Sequence, residues 1–311
     1  MSASNAALSH LFFHEDGEPI FSPCIEIAGI CGIPLAAAAG GYLHAYEVLQ
    51  KEHGEAFEWW RTNAMKTMRP WDNAAASMLP FWLEDDTSLH APMVGLTVQA
   101  GPIKPACSPP VLEFYHEHLD PEHPRGGIRF GLPVERADAP DQLFELACDA
   151  FAELPLTYGW AGYALAWHLD SERNQELARG FIPPLLRRHP GLATGDMMPA
   201  VLSQHTGMIT MGWLTFVGPA MLERLGGRDT VLGKLGATAS SRELASGALV
   251  LRASLAPMLG DVNRQEALAE YRDVGRILET VRASDEIMAR INLMFIDGER
   301  KVEWLMRFFA E

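Results

Sequence analysis

Apolar positions along this chain change their period several times, and each change marks a predicted element. From Pro19 to Ile33, the runs Ile20-Phe21 and Ile25 to Ile30 alternate enough to predict a strand or hairpin arm. Leu43, Tyr46, Val48 and Leu49 then recur at helical spacing, predicting a helix that opens near Pro34 and reaches about Arg61. Gly40-Gly41 weakens its start. A second region from Met65 to Leu83 carries Trp71, Phe81 and Trp82 and closes on the acidic cluster Glu84-Asp85-Asp86. Strands are predicted at Met93 to Gln99, Val111 to Tyr115 and Ile128 to Val134. A proline-rich loop, Gly101 to Pro110, and a polar connection, His116 to Gly127, separate them. Pro140 to Leu154 reads as a helix with Leu143, Leu146, Ala147 and Phe151 on its inner face.

In the second half, Thr157 to Leu165 is strand-like, and its small residues Gly159, Ala161 and Gly162 let neighbouring backbone approach closely. Trp213, Leu214, Phe216 and Val217 suit a buried strand. A helix follows from Pro219, with Met221, Leu222 and Leu225 on one face, and Gly226-Gly227 stops it. Leu249 to Leu255 predicts another strand. Pro257 to Asn263 predicts a turn in which Gly260 takes positive φ and Asp261 and Asn263 bond local backbone. From Glu266, the residues Leu268, Tyr271, Val274, Ile277, Leu278 and Val281 keep helical spacing, with Arg282 in the last turn.

Strands joined by loops mix with strands joined by helices, without regular β-α-β alternation. The expected class is therefore α+β, a mixed or mainly antiparallel sheet with packed helices. Residues 1–311 are expected to form a single domain, with a division into two subdomains near residue 155 left open by the charge distribution. Net charge is −15, with 22 acidic and 8 basic residues in 1–155 against 18 and 17 in 156–311. An acidic half repels phosphates, which argues against nucleic acid as a partner and suits a basic one.

No run of about eighteen apolar residues predicts a membrane span. The first residues lack the basic and apolar regions of a signal peptide, so the expected location is the cytoplasm. Cys24, Cys31, Cys107 and Cys148 are scattered without a C-x-x-C pair and read as reduced, buried thiols.

Chemistry is sparse. G-x-S-x-G, a phosphate-binding glycine loop with its lysine, and H-E-x-x-H are all absent. The sharpest constellation is His116-Glu117-His118 followed by His123, in which two histidines two apart on a strand share a face. It supports an alternative reading as a metal-dependent hydrolase, weighed against a solvated polar turn. Trp59-Trp60 and Phe81-Trp82 read as helix-face core packing or as interface anchors.

Two stretches carry a resemblance. They are Thr210-Met-Gly-Trp-Leu-Thr-Phe-Val-Gly218 through Leu225-Gly-Gly227, and Leu249 through Pro257-Met-Leu-Gly-Asp-Val-Asn263 with Tyr271 to Arg282. Gly162-Tyr163 and Arg188-His-Pro-Gly191 extend it. Together they resemble the bacterial type VI secretion immunity family that neutralises VRR-NUC-type nuclease effectors. One departure is Gly212, where that family often carries asparagine.

The resemblance implies a non-catalytic inhibitor with no cofactor and no metal. Its partner would be a secreted effector toxin, a basic nuclease domain, covered at its DNA-binding surface or locked out of its active form. The expected contact residues are Glu84, Asp85, Asp86, Glu113 and Glu117, chosen by charge and predicted exposure. A regulator on the same scaffold is the remaining alternative, and the sequence sets no oligomeric state.

Overall fold

Burial on both faces explains why the 14-residue strand Glu18–Cys31 is apolar almost without interruption. The computed structural model describes residues 8–101, 106–168, 171–293, 296 and 298–309. Its strands are β1 (Phe13–Glu15), β2 (Glu18–Cys31), β3 (Trp59–Thr62), β4 (Arg69–Pro70), β5 (Met93–Ala100) and β6 (Ser108–Glu117), then β7 (Arg125–Pro133), β8 (Tyr158–Ala166), β9 (Leu214–Val217), β10 (Ser240–Glu243) and β11 (Leu249–Arg252). They form one 11-stranded sheet in the order β10-β11-β9-β8-β2-β7-β6-β5-β3-β4, with β1 paired to β2. Among the described residues its strand pairings are all antiparallel, within the expected α+β class with a mixed or mainly antiparallel sheet. Strand β2 sits between β7 and β8, so the sheet runs across residue 155 without interruption.

Register divides the side chains into two faces, because successive residues of a strand point to opposite sides. One row of partners is Gly29, Ile128, Phe114 and Leu96. On this back face lies helix α1 (Leu35–His53), whose Tyr42 ring meets Phe114 edge-on at 5.0 Å. Helix α2 (Pro140–Ala150) leads into Phe151, which meets Phe216 at 5.2 Å and closes over Gly29. The adjacent row is Ala28, Arg129, Glu113, Thr97 and Arg61, and it points to the front.

Several expectations are corrected. Helix α1 ends at His53, and Trp59-Trp60 lies on β3, where Trp60 is buried and donates to the Pro70 carbonyl at 3.1 Å. Met65 to Leu83 resolves into a short strand and short helical turns, Asn73–Ala76 and Met78–Glu84. Of the loop expected from Gly101 to Pro110, residues 102–105 lie outside the described residues, and Ser108–Pro110 already belong to β6.

Helix α3 (Glu172–Arg188), α4 (Met198–Ser203), α5 (Ala269–Leu278) and α6 (Gly298–Met306) complete the second half. Helix α3 has no counterpart among the expected elements, and it holds Pro183-Pro184 in its interior. The helix after Gly218 stops where expected, with Gly226 and Gly227 both at φ +89.

A candidate partner-binding face

The front of the sheet is covered over β2, β7 and β8 and over Gln99 and Val111, but is more open over the rest of β3, β5 and β6. The cover is built by residues 192–203: Val201 of α4 lies close over Gly127, and Gly195, at φ +71, passes so near the Leu165 carbonyl that a Cβ there would lie 1.7 Å from its oxygen. Beyond this cover, alternation leaves Arg61, Thr97, Glu113, Tyr115 and Glu117 half-buried and Met93 41 % exposed, while Leu96, Leu112 and Phe114 stay buried behind them. A cleft of about 310 Å³ lies at this boundary, walled by Met197 and Met198 on one side and by Arg61, Thr97, Glu113 and Tyr115 on the other. Met198 also lines a second groove of about 580 Å³, shared with Asp196, Pro199, Leu202 and Ile287. The two hollows therefore adjoin across one side chain.

A buried ion cluster anchors the covered part of this face. Arg129 donates from Nε to Glu26 at 2.5 Å, from Nη1 to Glu113 at 3.1 Å and from Nη2 to the Leu165 carbonyl at 3.2 Å. Trp160 Nε1 donates to the other Glu26 oxygen at 2.5 Å. The two carboxylates hold the Arg129 guanidinium charged against its own burial. Asp196 stands nearby, without an ion pair among the described residues; its carboxylate accepts from the Met198 amide at 2.9 Å, and burial pushes its pKa up to about 7.

The five residues expected at a partner surface do not form one patch. Glu84 and Asp86 are exposed, on turns packed against α1 behind the sheet, while Glu113 and Glu117 point to the front. Exposure was also overestimated for three of them. Asp85 caps the turn Asp86–Leu89, accepting from the Ser88 amide at 2.8 Å and its hydroxyl at 2.9 Å. Glu113 is held by Arg129, and Glu117 accepts from the Tyr115 hydroxyl at 2.5 Å and faces Arg125 at 3.5 Å.

The histidine constellation is dispersed. His116 points to the back face under Tyr42, with its Nε2 3.0 Å from the Ile33 carbonyl. His123 pairs with Asp120 at 2.9 Å and meets the His205 ring at 5.1 Å. Among the described residues, no group of three or more His, Cys, Asp or Glu side chains is placed to hold a metal ion.

The motif segments, by contrast, lock onto one another. Arg188 forks onto Asp261, with Nη2 at 2.7 Å and Nε at 3.1 Å from Oδ2. His189 Nδ1 lies 2.6 Å from the Gly260 carbonyl, and a Cβ at Gly191 would lie 2.0 Å from the Met258 oxygen. The Trp213 indole donates to the Ser254 carbonyl at 2.7 Å, and the Tyr271 hydroxyl accepts from the Met258 amide at 2.9 Å. These residues build scaffold rather than a reactive centre.

A family model described as TsiV, type VI immunity for VRR-NUC, matches residues 43–308. The chain belongs to that family. The match extends beyond the motif-bearing residues on both sides. Among solved structures, the chain is similar to the Pseudomonas aeruginosa T6SS protein PA0821, with a TM-score of 0.79 and 17 % identity. That alignment covers 96 % of this chain and 84 % of the other, and it shows a shared fold. No curated protein sequence matches the chain. Among the described residues, no helix is long and apolar enough to cross a membrane.

The sequence reading missed Asp196, Met198, Leu202 and Ile287. They come from two segments without strong periodicity, and only the tertiary fold brings them to one groove.

Proposed function

We propose that this chain is an immunity protein that binds a VRR-NUC-type nuclease effector and neutralises it by covering its functional surface, without catalysis of its own. The observation that carries this reading is the family match over residues 43–308. The excess of carboxylates in residues 1–155 supports it, because a nuclease needs a basic channel for DNA. So does the open front face, where Met93 and Met198 stand with Glu113, Glu117 and Tyr115, and Leu202 lies exposed in the adjoining groove. Apolar centres with polar rims are the usual make-up of protein interfaces. We assign the main contact to this face, and to Glu84 and Asp86 a longer-range role in drawing a basic partner in. Inhibition would take place in the cytoplasm, where the cysteines stay reduced.

Calorimetry between the purified chain and the nuclease domain encoded beside its gene, paired with a DNA-cleavage assay, tests the reading. Nanomolar binding, roughly −12 kcal/mol, with cleavage abolished is the expected result. Absence of binding, with toxicity unrelieved on co-expression, overturns it.

A further inference from the structure

The groove of about 580 Å³ beside the front face is mainly apolar, yet it holds one carboxylate. Met198, Pro199, Leu202, Ile287 and Ile291 line it, and Leu202 is 50 % exposed. Asp196 lies in the same lining, half-buried.

Among the described residues, no cation forms an ion pair with Asp196, and Arg129 offsets its burial only in part. Glu26 on β2 and Glu113 on β6 are acidic themselves. Arg129 on β7 is already bound to both of them, and Arg290 at the groove is bound to Glu286 at 2.6 Å. His168, which follows β8, lines the adjoining cleft. Asp196 is thus a carboxylate that gains most from an incoming cation.

We propose that this groove receives an arginine or lysine side chain of the effector, its aliphatic stem against Met198, Pro199, Leu202 and Ile287 and its charge on Asp196. The proposal rests on the inhibitor reading and names the chemistry of its contact. A long cationic side chain has the matching profile, since its methylenes favour apolar walls while its end seeks a carboxylate. A purely apolar guest would desolvate Asp196 without supplying a counter-charge, and an anionic one is repelled by a chain of net charge −15. A bound cation also favours the ionised carboxylate, so binding releases the proton that burial holds on Asp196 near neutrality. Affinity then rises with pH through that range.

The test is calorimetry of the wild-type chain, Asp196→Asn and Leu202→Ser against the nuclease domain of the neighbouring effector at about pH 6 and about pH 8. The wild-type chain is expected to bind ~10-fold more tightly at the higher pH, and D196N ~10-fold more weakly than wild type there, with its pH dependence lost. L202S, which keeps the carboxylate, is expected to weaken binding at both pH values. D196N or L202S matching wild type throughout overturns the proposal while leaving the inhibitor reading in place.

If the wild-type chain does not bind the effector, the inhibitor reading fails, and N-acetyl-arginine amide decides the groove on its own. It is expected to shift the NMR signals of Leu202 and Ile287 in wild type and not in D196N. Equal shifts in both proteins, or none in either, overturn the proposal.

Discussion

Arg188 and Asp261, 73 positions apart in sequence, form a forked ion pair that ties the end of helix α3 to the turn after β11. The Arg188 guanidinium holds the Asp261 carboxyl down to about 2, and the Asn263 amide bonds the same group. Substitution Arg188→Met should lower the urea midpoint at neutral pH. The sign of the pH effect follows from a carboxyl whose folded-state pKa lies below its unfolded value. The pair's contribution is complete above the ordinary aspartate range and is lost as pH falls toward 2. Wild type and R188M should therefore converge in stability on acidification, as read from denaturation midpoints.

A larger effect is expected at Arg129. Its removal strands Glu26 and Glu113, one of them fully buried, with no cation between them. Arg129→Met should cost about 3–5 kcal/mol in urea unfolding. The triple variant with Glu26→Gln and Glu113→Gln should regain part of that loss. No recovery in the triple variant would show that packing, not stranded charge, dominates.

Asp196 gives the opposite pH dependence to Asp261. Burial raises its pKa from the ordinary carboxylate range to about 7, so the folded chain binds a proton that the unfolded chain releases at lower pH. Stability should fall as pH rises from the ordinary aspartate range toward 7 and level off above it. Asp196→Asn should remove this component, read as the difference in unfolding free energy between the two proteins across that interval.

Glu84 and Asp86 stand apart from the front face, so reversing them should act through the field rather than through contact. The double variant Glu84→Lys, Asp86→Lys should lower the association rate for the effector several-fold at low salt, on the order of 3- to 10-fold. The dissociation rate and the thermal midpoint should barely change. Stopped-flow measurements at two ionic strengths separate this from a direct contact, which would raise the dissociation rate.

Local pattern made much of the scaffold legible. Strand β8 declares itself through Tyr158 to Leu165, and the turn at Gly260, with φ +69, follows from Leu-Gly-Asp-Val-Asn. Helix α3 stayed hidden because Glu172 to Glu176 is polar and Pro183-Pro184 signals a stop. Both prolines lie within the helix, where neither can donate a backbone hydrogen bond, and their neighbours Ile182 and Leu185 are buried. The candidate face was legible only in part. Glu113 was read on a strand and Glu117 in the polar connection after it, whereas β6 runs on to Glu117; that Glu113 is claimed by Arg129 depends on the pairing of β6 with β7. Asp196 and Ile287 meet only through folding of segments about ninety residues apart, which periodicity cannot register.

The open strip of β3, β5 and β6 separates two kinds of change. Thr97, Glu113, Tyr115 and Glu117 point outward, and the residues between them, Leu96, Phe114 and His116, point into the core. On the proposed reading, substitution at outward positions such as Thr97 or Tyr115 would alter what the surface recognises while the inward set keeps the molecule folded. Under the same proposal, a lineage confronted with a new toxin could rewrite its recognition in small steps, each leaving a protein that still folds. Glu113 is the exception in the row: because its carboxylate also serves Arg129, change there is constrained by the fold.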